Sequence, residues 1–428
     1  MDVIKIIGGN QLNGYLPISG AKNAALPLMI SSLLTEETLS LKNIPYLADV
    51  EQLIKILINH GVHISIEDHE NEYQNYSRTI HFTANKITNT TAPYELVSKM
   101  RASFWVIAPL LARTGEACVS LPGGCSIGAR PLDFIFKGLE ALGVEIEIKN
   151  GYAMAKASNG LTGAAYKFPK VTVGGTHIMI MAASLANGET ILHNAAKEPE
   201  IVNLAQCINA MGGNIKGAGT DTVTIQGVTK LHKANIKVIS DRIEAGTYAM
   251  AVAMTGGDVM LVNGEEKLLP TVIDVLRKTG AEITQYDEGL RVKRTGNIIY
   301  PVDIITGVYP EFPTDLQAQF MGLMTKSCGT SRIKETVFEN RFMHVPELRR
   351  LGANITLDEQ EATVTGVKSL TGADVKATDL RASASLVIAA LAADGETIIK
   401  NIHHLDRGFE FLEKKLSRCG ANICRITK

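Results

Sequence analysis

The chain has 428 residues, 45% hydrophobic and 20% charged, which suits a globular protein too long for one ordinary core and points to two domains. Lys and Arg number 43 against 44 Asp and Glu, for a formal charge of −1, and aromatics make up only 5%. That balance argues against nucleic acid as a partner, because it offers neither a basic surface nor a stacking platform for bases.

Six cysteines stand at positions 118, 125, 207, 328, 419 and 424, with no CxxC pair and no Cys/His cluster. Neither zinc nor a disulfide framework is indicated, and a reducing cytoplasm is the expected compartment. The start, Met1-Asp-Val-Ile-Lys-Ile-Ile-Gly-Gly, lacks the regions of a signal peptide. Apolar runs such as Ala102 to Ala112 fall short of the ~20 residues a membrane span needs, so no membrane insertion is expected.

In chain order, Val3-Ile4-Lys5-Ile6 and Tyr15-Leu16-Pro17-Ile18 alternate like strands and are expected to pair with the C-terminal half. A unit then recurs six times. Each copy has an apolar helix, a strand, and an amphipathic helix that stops at a glycine followed by a second strand. The closing glycines are Gly61, Gly143, Gly212, Gly280, Gly352 and Gly420, about 70 residues apart. Glycine after the last turn is the expected left-handed stop. The first helices, such as Ala24 to Leu34, Ile178 to Ala186 and Ala382 to Ala393, are apolar nearly all round and read as buried. The second helices, such as Val50 to Ile58, should face water on one side. Pro131, Pro199, Pro270 and Pro346 sit near their starts, and Asp49 and Asp406 are read as N-caps in the other two copies.

Three copies make one half and three the other. The third copy closes near Gln226, Thr229 to Ile239 reads as the crossing, and Asp241 starts the fourth inner helix.

Between Leu121 and Pro131 lies a glycine-rich loop, Leu-Pro-Gly-Gly-Cys-Ser-Ile-Gly-Ala-Arg-Pro. It places Cys125 five residues before Arg130 and feeds a helix that Pro131 is expected to open. Free backbone N–H groups, a helix dipole and a guanidinium together attract an anion and ease a thiol toward thiolate. A buried cysteine in a glycine turn is the plainer alternative.

Charges also stand where the inner helices begin, and capping explains Asp241 with Arg242. It explains Lys22, Arg101 and Arg381 less well, since a cation at a helix N-terminus opposes the dipole unless an anion sits there too. Glu339-Asn340-Arg341 reads as a surface ion pair or as part of a site, and Asp406-Arg407 is open in the same way. His344, His403 and His404 have no matched partners for a metal. The cysteines other than Cys125 read as packed thiols in strand or helix.

Taken together, Ile18 to Pro27, the Cys125 loop, Phe312 to Gln319, Glu335 to His344 and Ala377 to Ser385 closely resemble the enolpyruvate transferase family, in the branch that acts on UDP-N-acetylglucosamine. The resemblance covers essentially the whole chain. It implies an α/β fold of two inside-out domains, each of three similar units, closing on substrates between them: 22–239, with the cysteine loop and nucleotide-sugar contacts, and 1–21 plus 240–428.

The implied reaction transfers the enolpyruvyl group of phosphoenolpyruvate to the 3′-hydroxyl of UDP-N-acetylglucosamine and releases phosphate, with no cofactor and no metal. It would commit the sugar to peptidoglycan. Cys125 would deliver a proton to the methylene carbon and can form a covalent adduct. Asp315 would be the base. Lys22, Asn23, Arg130, Arg341, Arg381 and Arg407 would surround phosphoenolpyruvate, with Lys22 and Arg407 counted in the catalytic set. The nucleotide sugar would meet Asn23, Arg101, Arg130, Pro131, Leu132, Asp133 and Phe134, then Lys170, Val171, Thr172, Val173 and Gly174, and also Asp315 and Val337. Asp379 would be a further carboxylate of the cleft.

The departures are small. Gly174-Gly175-Thr176 stands where many relatives have Gly-Ala-Thr, and Thr172 replaces a common Ser. Cys125 also implies sensitivity to fosfomycin, an epoxide that alkylates the thiol. The alternatives are a sister enzyme acting on shikimate 3-phosphate and a non-catalytic nucleotide-sugar-binding protein.

Overall fold

The structure is a computed structural model that describes residues 2–70, 76–123 and 131–427. The described residues fall into two compact units. One takes the residues up to Ser19 and those from Ser240 onward, and the other runs from Gly20 to Ile239. Each unit has its own apolar core, one built from residues such as Ile4, Leu16, Tyr248, Phe320 and Leu386, the other from Leu28, Phe82, Phe104, Ile180 and Ile208.

The sixfold repeat is present in both units. The inner helices are Lys22–Ser31, Arg101–Val106 (a 3₁₀ turn) running into Ile107–Thr114, Val173–Ala183, Arg242–Thr255, Thr314–Leu316 (3₁₀) running into Gln317–Met324, and Leu380–Leu391. Five are buried along almost their whole length, as an all-round apolar sequence requires, while the second leaves Arg101, Trp105, Ala112 and Arg113 half-buried and Thr114 exposed. In the unit that includes Ser240 onward, the three inner helices pack on one another. The outer helices are Ala48–Asn59, Asp133–Ala141, Pro199–Ala210, Pro270–Lys278, Val345–Arg350 and Leu412–Arg418. The first of them buries Val50, Leu53, Ile56 and Leu57 and exposes Glu51 and Lys55. The six closing glycines all have positive φ, from 89° at Gly143 to 100° at Gly280. Only glycine takes that conformation without a Cβ penalty, so they are the stops the sequence predicts.

Each repeat carries one four-stranded sheet with one parallel and two antiparallel pairings, but three of the sheets borrow a distant strand. Ala234–Lys237 pairs in parallel with Thr38–Ile44 and completes the first repeat's sheet. Leu12–Pro17 pairs in parallel with Gly257–Val262 in the fourth. Val3–Ile7 lies between Glu396–Lys400 and Asn422–Ile426 in the sixth. The N-terminal strands therefore do pair with the C-terminal half. Within the segment read as a crossing, Thr229 to Ile239, the residues Ala234–Lys237 belong instead to the first repeat's sheet, and the change of unit falls at Ile239 and Ser240.

Several local readings need correction. Asp49 lies inside the first turn of its helix, whose N-cap is Leu47, so it is not the N-cap residue. Asp406 lies in the 3₁₀ helix Ile402–Arg407 and is held by Arg425, while the next helix starts after Phe411. Pro131 does not open its helix, which begins at Asp133 after Leu132. Pro199 and Pro270 do stand at the first helical position. Cys207 and Cys419 are packed, but Cys328 and Cys424 are exposed and Cys328 lies in a bend.

Candidate active site

In the unit spanning Gly20 to Ile239, the inner helix at Lys22 starts without a side-chain cap, because Ala21 precedes it. Lys22 is its first residue and is buried, so its ammonium needs a partner. Asp49, in the first turn of the neighbouring outer helix, supplies one at 2.7 Å. The anion that the sequence left unassigned at this helix start is thus, in part, a carboxylate of the protein itself. Asn23 follows, half-buried. Arg101 begins the second inner helix, also half-buried and also after an uncapped residue, Met100.

The third inner helix begins differently. The Thr172 hydroxyl accepts a hydrogen bond from the Gly175 amide at 3.2 Å and caps the helix. Lys170 is exposed, and Val171, Thr172, Val173 and Gly174 are half-buried. Gly174 lies against the Trp105 indole, where a Cβ would sit 3.2 Å from the ring. That indole also stacks on His177 at 5.2 Å. Burial pushes the His177 imidazole down to about 3, so it stays neutral.

A Cβ at residue 175 would come within 2.5 Å of the Thr172 methyl. The two departures from the family pattern are therefore coupled: the methyl that Thr adds over Ser occupies the space that Ala would need. At the remaining positions, Pro131 and Asp133 are exposed, while Leu132 and Phe134 are half-buried, and the Phe134 carbonyl accepts from the Tyr166 hydroxyl at 2.6 Å. Cys125 and Arg130 lie outside the described residues.

The other unit gathers a tighter cluster. Asp315 sits in the 3₁₀ turn Thr314–Leu316. Its Oδ1 accepts from the Arg341 guanidinium at 2.7 Å and its Oδ2 from Arg381 at 3.1 Å. Both arginines are buried, and each keeps a buried N–H without a partner among the described residues, at Nε of Arg341 and NH1 of Arg381. Of the two openings the sequence leaves for Arg341, its burial favours the inward one: Glu339 and Asn340 are exposed, but the guanidinium turns inward.

Arg381 is the second residue of its helix, and Asp379 caps that helix by accepting from the amides of Arg381 and Ala382 at 2.9 and 3.1 Å. Phe338 lies under Arg341 at 5.3 Å and Phe409 under Arg381 at 5.9 Å. Burial pushes the His344 imidazole down to about 4, with Asp379 pulling it up and Arg341 pushing it further down. Arg407, half-buried, ends the 3₁₀ helix Ile402–Arg407. Val337 is half-buried, and its amide donates to Glu335 at 2.8 Å.

The structure thus brings Asp315, Arg341 and Arg381 into direct contact, with Asp379 at the base of the Arg381 helix. Lys22, Asn23, Arg101 and the Lys170–Gly174 stretch belong to the other unit. Two carboxylates were not singled out from the sequence in these roles: Asp49, the partner of Lys22, and Glu335, buried behind the 337–341 loop. Asp49 stands 27 positions from Lys22, and no local pattern connects them. Buried guanidiniums with spare donors, around one carboxylate, suit the binding of a second small anion.

A family model described as EPSP synthase (3-phosphoshikimate 1-carboxyvinyltransferase) matches residues 6–416. The chain is 67% identical over 429 residues to the UDP-N-acetylglucosamine 1-carboxyvinyltransferase of Brucella ovis, covering 100% of both, and equally to that of Brucella melitensis. Among solved structures, the enolpyruvyl transferase NikO from Streptomyces tendae aligns with a TM-score of 0.85 at 23% identity, over 100% of this chain and 99% of that one. EPSP synthase from Acinetobacter baumannii aligns with a TM-score of 0.76 at 19% identity, over 100% of both. At such identities the two structures speak for the fold alone.

Proposed function

The chain belongs to the enolpyruvate transferase family, and we propose that it transfers the enolpyruvyl group of phosphoenolpyruvate to the 3′-hydroxyl of UDP-N-acetylglucosamine, releasing phosphate. The observation that carries this reading is the 67% identity over the full length to relatives of that name. The acceptor would be committed to peptidoglycan, and the enzyme would work in the cytoplasm. No helix among the described residues is long and apolar enough to cross a membrane.

The chemistry runs in two steps. In the first, a proton is added to the methylene carbon while the sugar oxygen attacks the adjacent carbon. In the second, a methyl proton is lost as phosphate leaves, and the double bond re-forms. Cys125 supplies the first proton, and Asp315 accepts the proton of the sugar hydroxyl. Lys22, Arg130 and Arg407 neutralise the phosphate, while Arg341 and Arg381 hold the carboxylate. Asn23, Arg101, Leu132 to Phe134, Lys170 to Gly174 and Val337 position the nucleotide sugar. The unit from Gly20 to Ile239 is the domain of the loop and the nucleotide contacts, and the residues up to Ser19 with those from Ser240 onward are the domain of Asp315. The spare guanidinium donors beside Asp315 support this assignment, since they match what a second carboxylate would need.

Phosphate release from phosphoenolpyruvate tests the reading. Release should require UDP-N-acetylglucosamine, collapse in Cys125→Ala, and be abolished by fosfomycin in the wild type. Release with shikimate 3-phosphate in place of the nucleotide sugar would assign the chain to the sister activity. Silence with both acceptors would leave a binding protein.

A further inference from the structure

Glu335 is 1% exposed and directly follows the strand Thr330–Lys334, yet it faces no basic side chain among the contacts described for it. Its charge is met by four hydrogen bonds instead. Oε1 accepts from the Thr306 hydroxyl at 2.9 Å and from the amides of Val337 and Phe338 at 2.8 and 3.1 Å. Oε2 accepts from the Thr314 hydroxyl at 2.9 Å. Thr306 is bound again by Thr336, whose amide donates to the Thr306 hydroxyl at 2.9 Å and whose own hydroxyl donates to the Thr306 carbonyl at 2.6 Å.

One buried carboxylate therefore joins three segments: the chain just past the strand Ile304–Ile305, the turn whose next residue is Asp315, and the loop that leads through Phe338 to Arg341. A carboxylate fully engaged by donors is rigid, because moving it strands buried polar groups.

We propose that Glu335 is a positioning residue of the enolpyruvyl transfer, setting the Asp315 turn in register with the Val337–Arg341 loop so that base and guanidinium meet the reacting groups together. This rests on the function proposed above. A shift of the Asp315 turn by about 1 Å would be enough to cost about a hundredfold in rate. Glutamine should replace Glu335 well: its carbonyl oxygen can serve the two amides, and its NH₂ can donate to Thr314, whose hydroxyl accepts as readily as it donates.

The test uses the full chain with Glu335→Gln, Glu335→Ala and Thr314→Val, each assayed for phosphate release per folded molecule with phosphoenolpyruvate and UDP-N-acetylglucosamine. Thr314→Val cuts only the link to the Asp315 turn. It should lower kcat per folded molecule about tenfold or more, alongside a loss of thermal stability from the stranded Glu335 oxygen, while Glu335→Gln keeps most of kcat. Hydrogen exchange at the amides of Val337 and Phe338, measured without substrate, should stay slow in Glu335→Gln and Thr314→Val and become fast in Glu335→Ala. Wild-type kcat in both Thr314→Val and Glu335→Ala, or loss of stability with kcat per folded molecule intact, would overturn the proposal. If the wild type releases no phosphate under any acceptor, the function has failed. The exchange pattern then judges the staple alone, and slow exchange in Glu335→Ala would overturn it as well.

Discussion

The helix starts at Lys22 and at Arg242 occupy the same place in two repeats, and they are built to opposite ends. Each follows a short crossing of the chain, and each is tied by a backbone bond within its own unit. The Ala21 amide donates to the Ile239 carbonyl at 2.7 Å, and the Asp241 amide donates to the Ser19 carbonyl at 2.9 Å. Beyond that the chemistry differs. Asp241 turns its carboxylate onto the amides of Ile243 and Glu244 at 2.8 and 3.0 Å, and the helix end is closed. Ala21 has no side chain to offer, and the next residue is a buried lysine whose partner comes from another helix. One repeat position thus serves stability in one unit and leaves a helix N-terminus and a cation to other work in the other.

The sharpest way to break that contrast is to remove both cations. Lys22→Ala should lower kcat/KM for phosphoenolpyruvate about a thousandfold, while Arg242→Ala should leave it close to the wild-type value. Steady-state phosphate release reads both, and equal losses would abolish the distinction. Asp49→Asn should follow. It leaves a mostly buried ammonium without its counter-ion, which costs about 3 kcal/mol, seen as a lower denaturant midpoint, and it loosens Lys22, seen as a raised KM for phosphoenolpyruvate.

Acid should separate the units. His177 and His344 are held neutral by burial, with imidazoles pushed down to about 3 and about 4. Below about pH 6.5 the unfolded chain protonates these rings and the folded chain does not, so the unfolded state binds more protons. Stability is full above about 6.5 and falls by about 1.4 kcal/mol per pH unit for each histidine. The fall due to His344 ends near pH 4, whereas that due to His177 continues to about 3. Hydrogen exchange followed from pH 7 to 3 in the wild type, His177→Phe and His344→Phe should show the acid loss reduced in each variant only in the unit that held the replaced ring.

The smallest effect concerns the third repeat. Gly175→Ala should cost about 1–2 kcal/mol by overpacking against the Thr172 methyl. Adding Thr172→Ser should restore the loss while keeping the cap, as a thermal melt of the double variant would show.

The repeat frame was legible because glycines mark it: all six predicted stops lie at positive φ. A second marker went unread. Asn194, Asn263 and Asn401 each directly follow a strand, and Asn43 sits at the irregularity near the end of Thr38–Ile44, all at positive φ near 60°, a conformation asparagine tolerates better than most residues. The borrowed strands were only partly legible. Val3–Ile7 and Leu12–Pro17 alternate plainly, but Ala234–Lys237 is four residues long, half-exposed, and reads like a linker. The readings of Asp49 and Asp406 as caps failed because a carboxylate near a helix start has two outlets, its own helix's amides or a cation brought from elsewhere. Only packing selects between them. The local pattern left Arg341 open for a similar reason: its sequence neighbours are exposed, and nothing local reveals a buried guanidinium.

By itself, then, the sequence determined what depends on neighbours in the chain: the sixfold unit, the glycine stops, the all-round apolar helices that must lie inside, and the helix starts that carry charge. Tertiary structure decided what depends on residues far apart: which strand completes which sheet, that Asp49 answers Lys22, that Arg341 and Arg381 close on Asp315, and that Glu335 staples three segments. The physical reason is that periodicity and backbone conformation act over a few residues. A buried charge accepts whatever partner the fold brings within about 3 Å, and that partner's place in the sequence is set by topology.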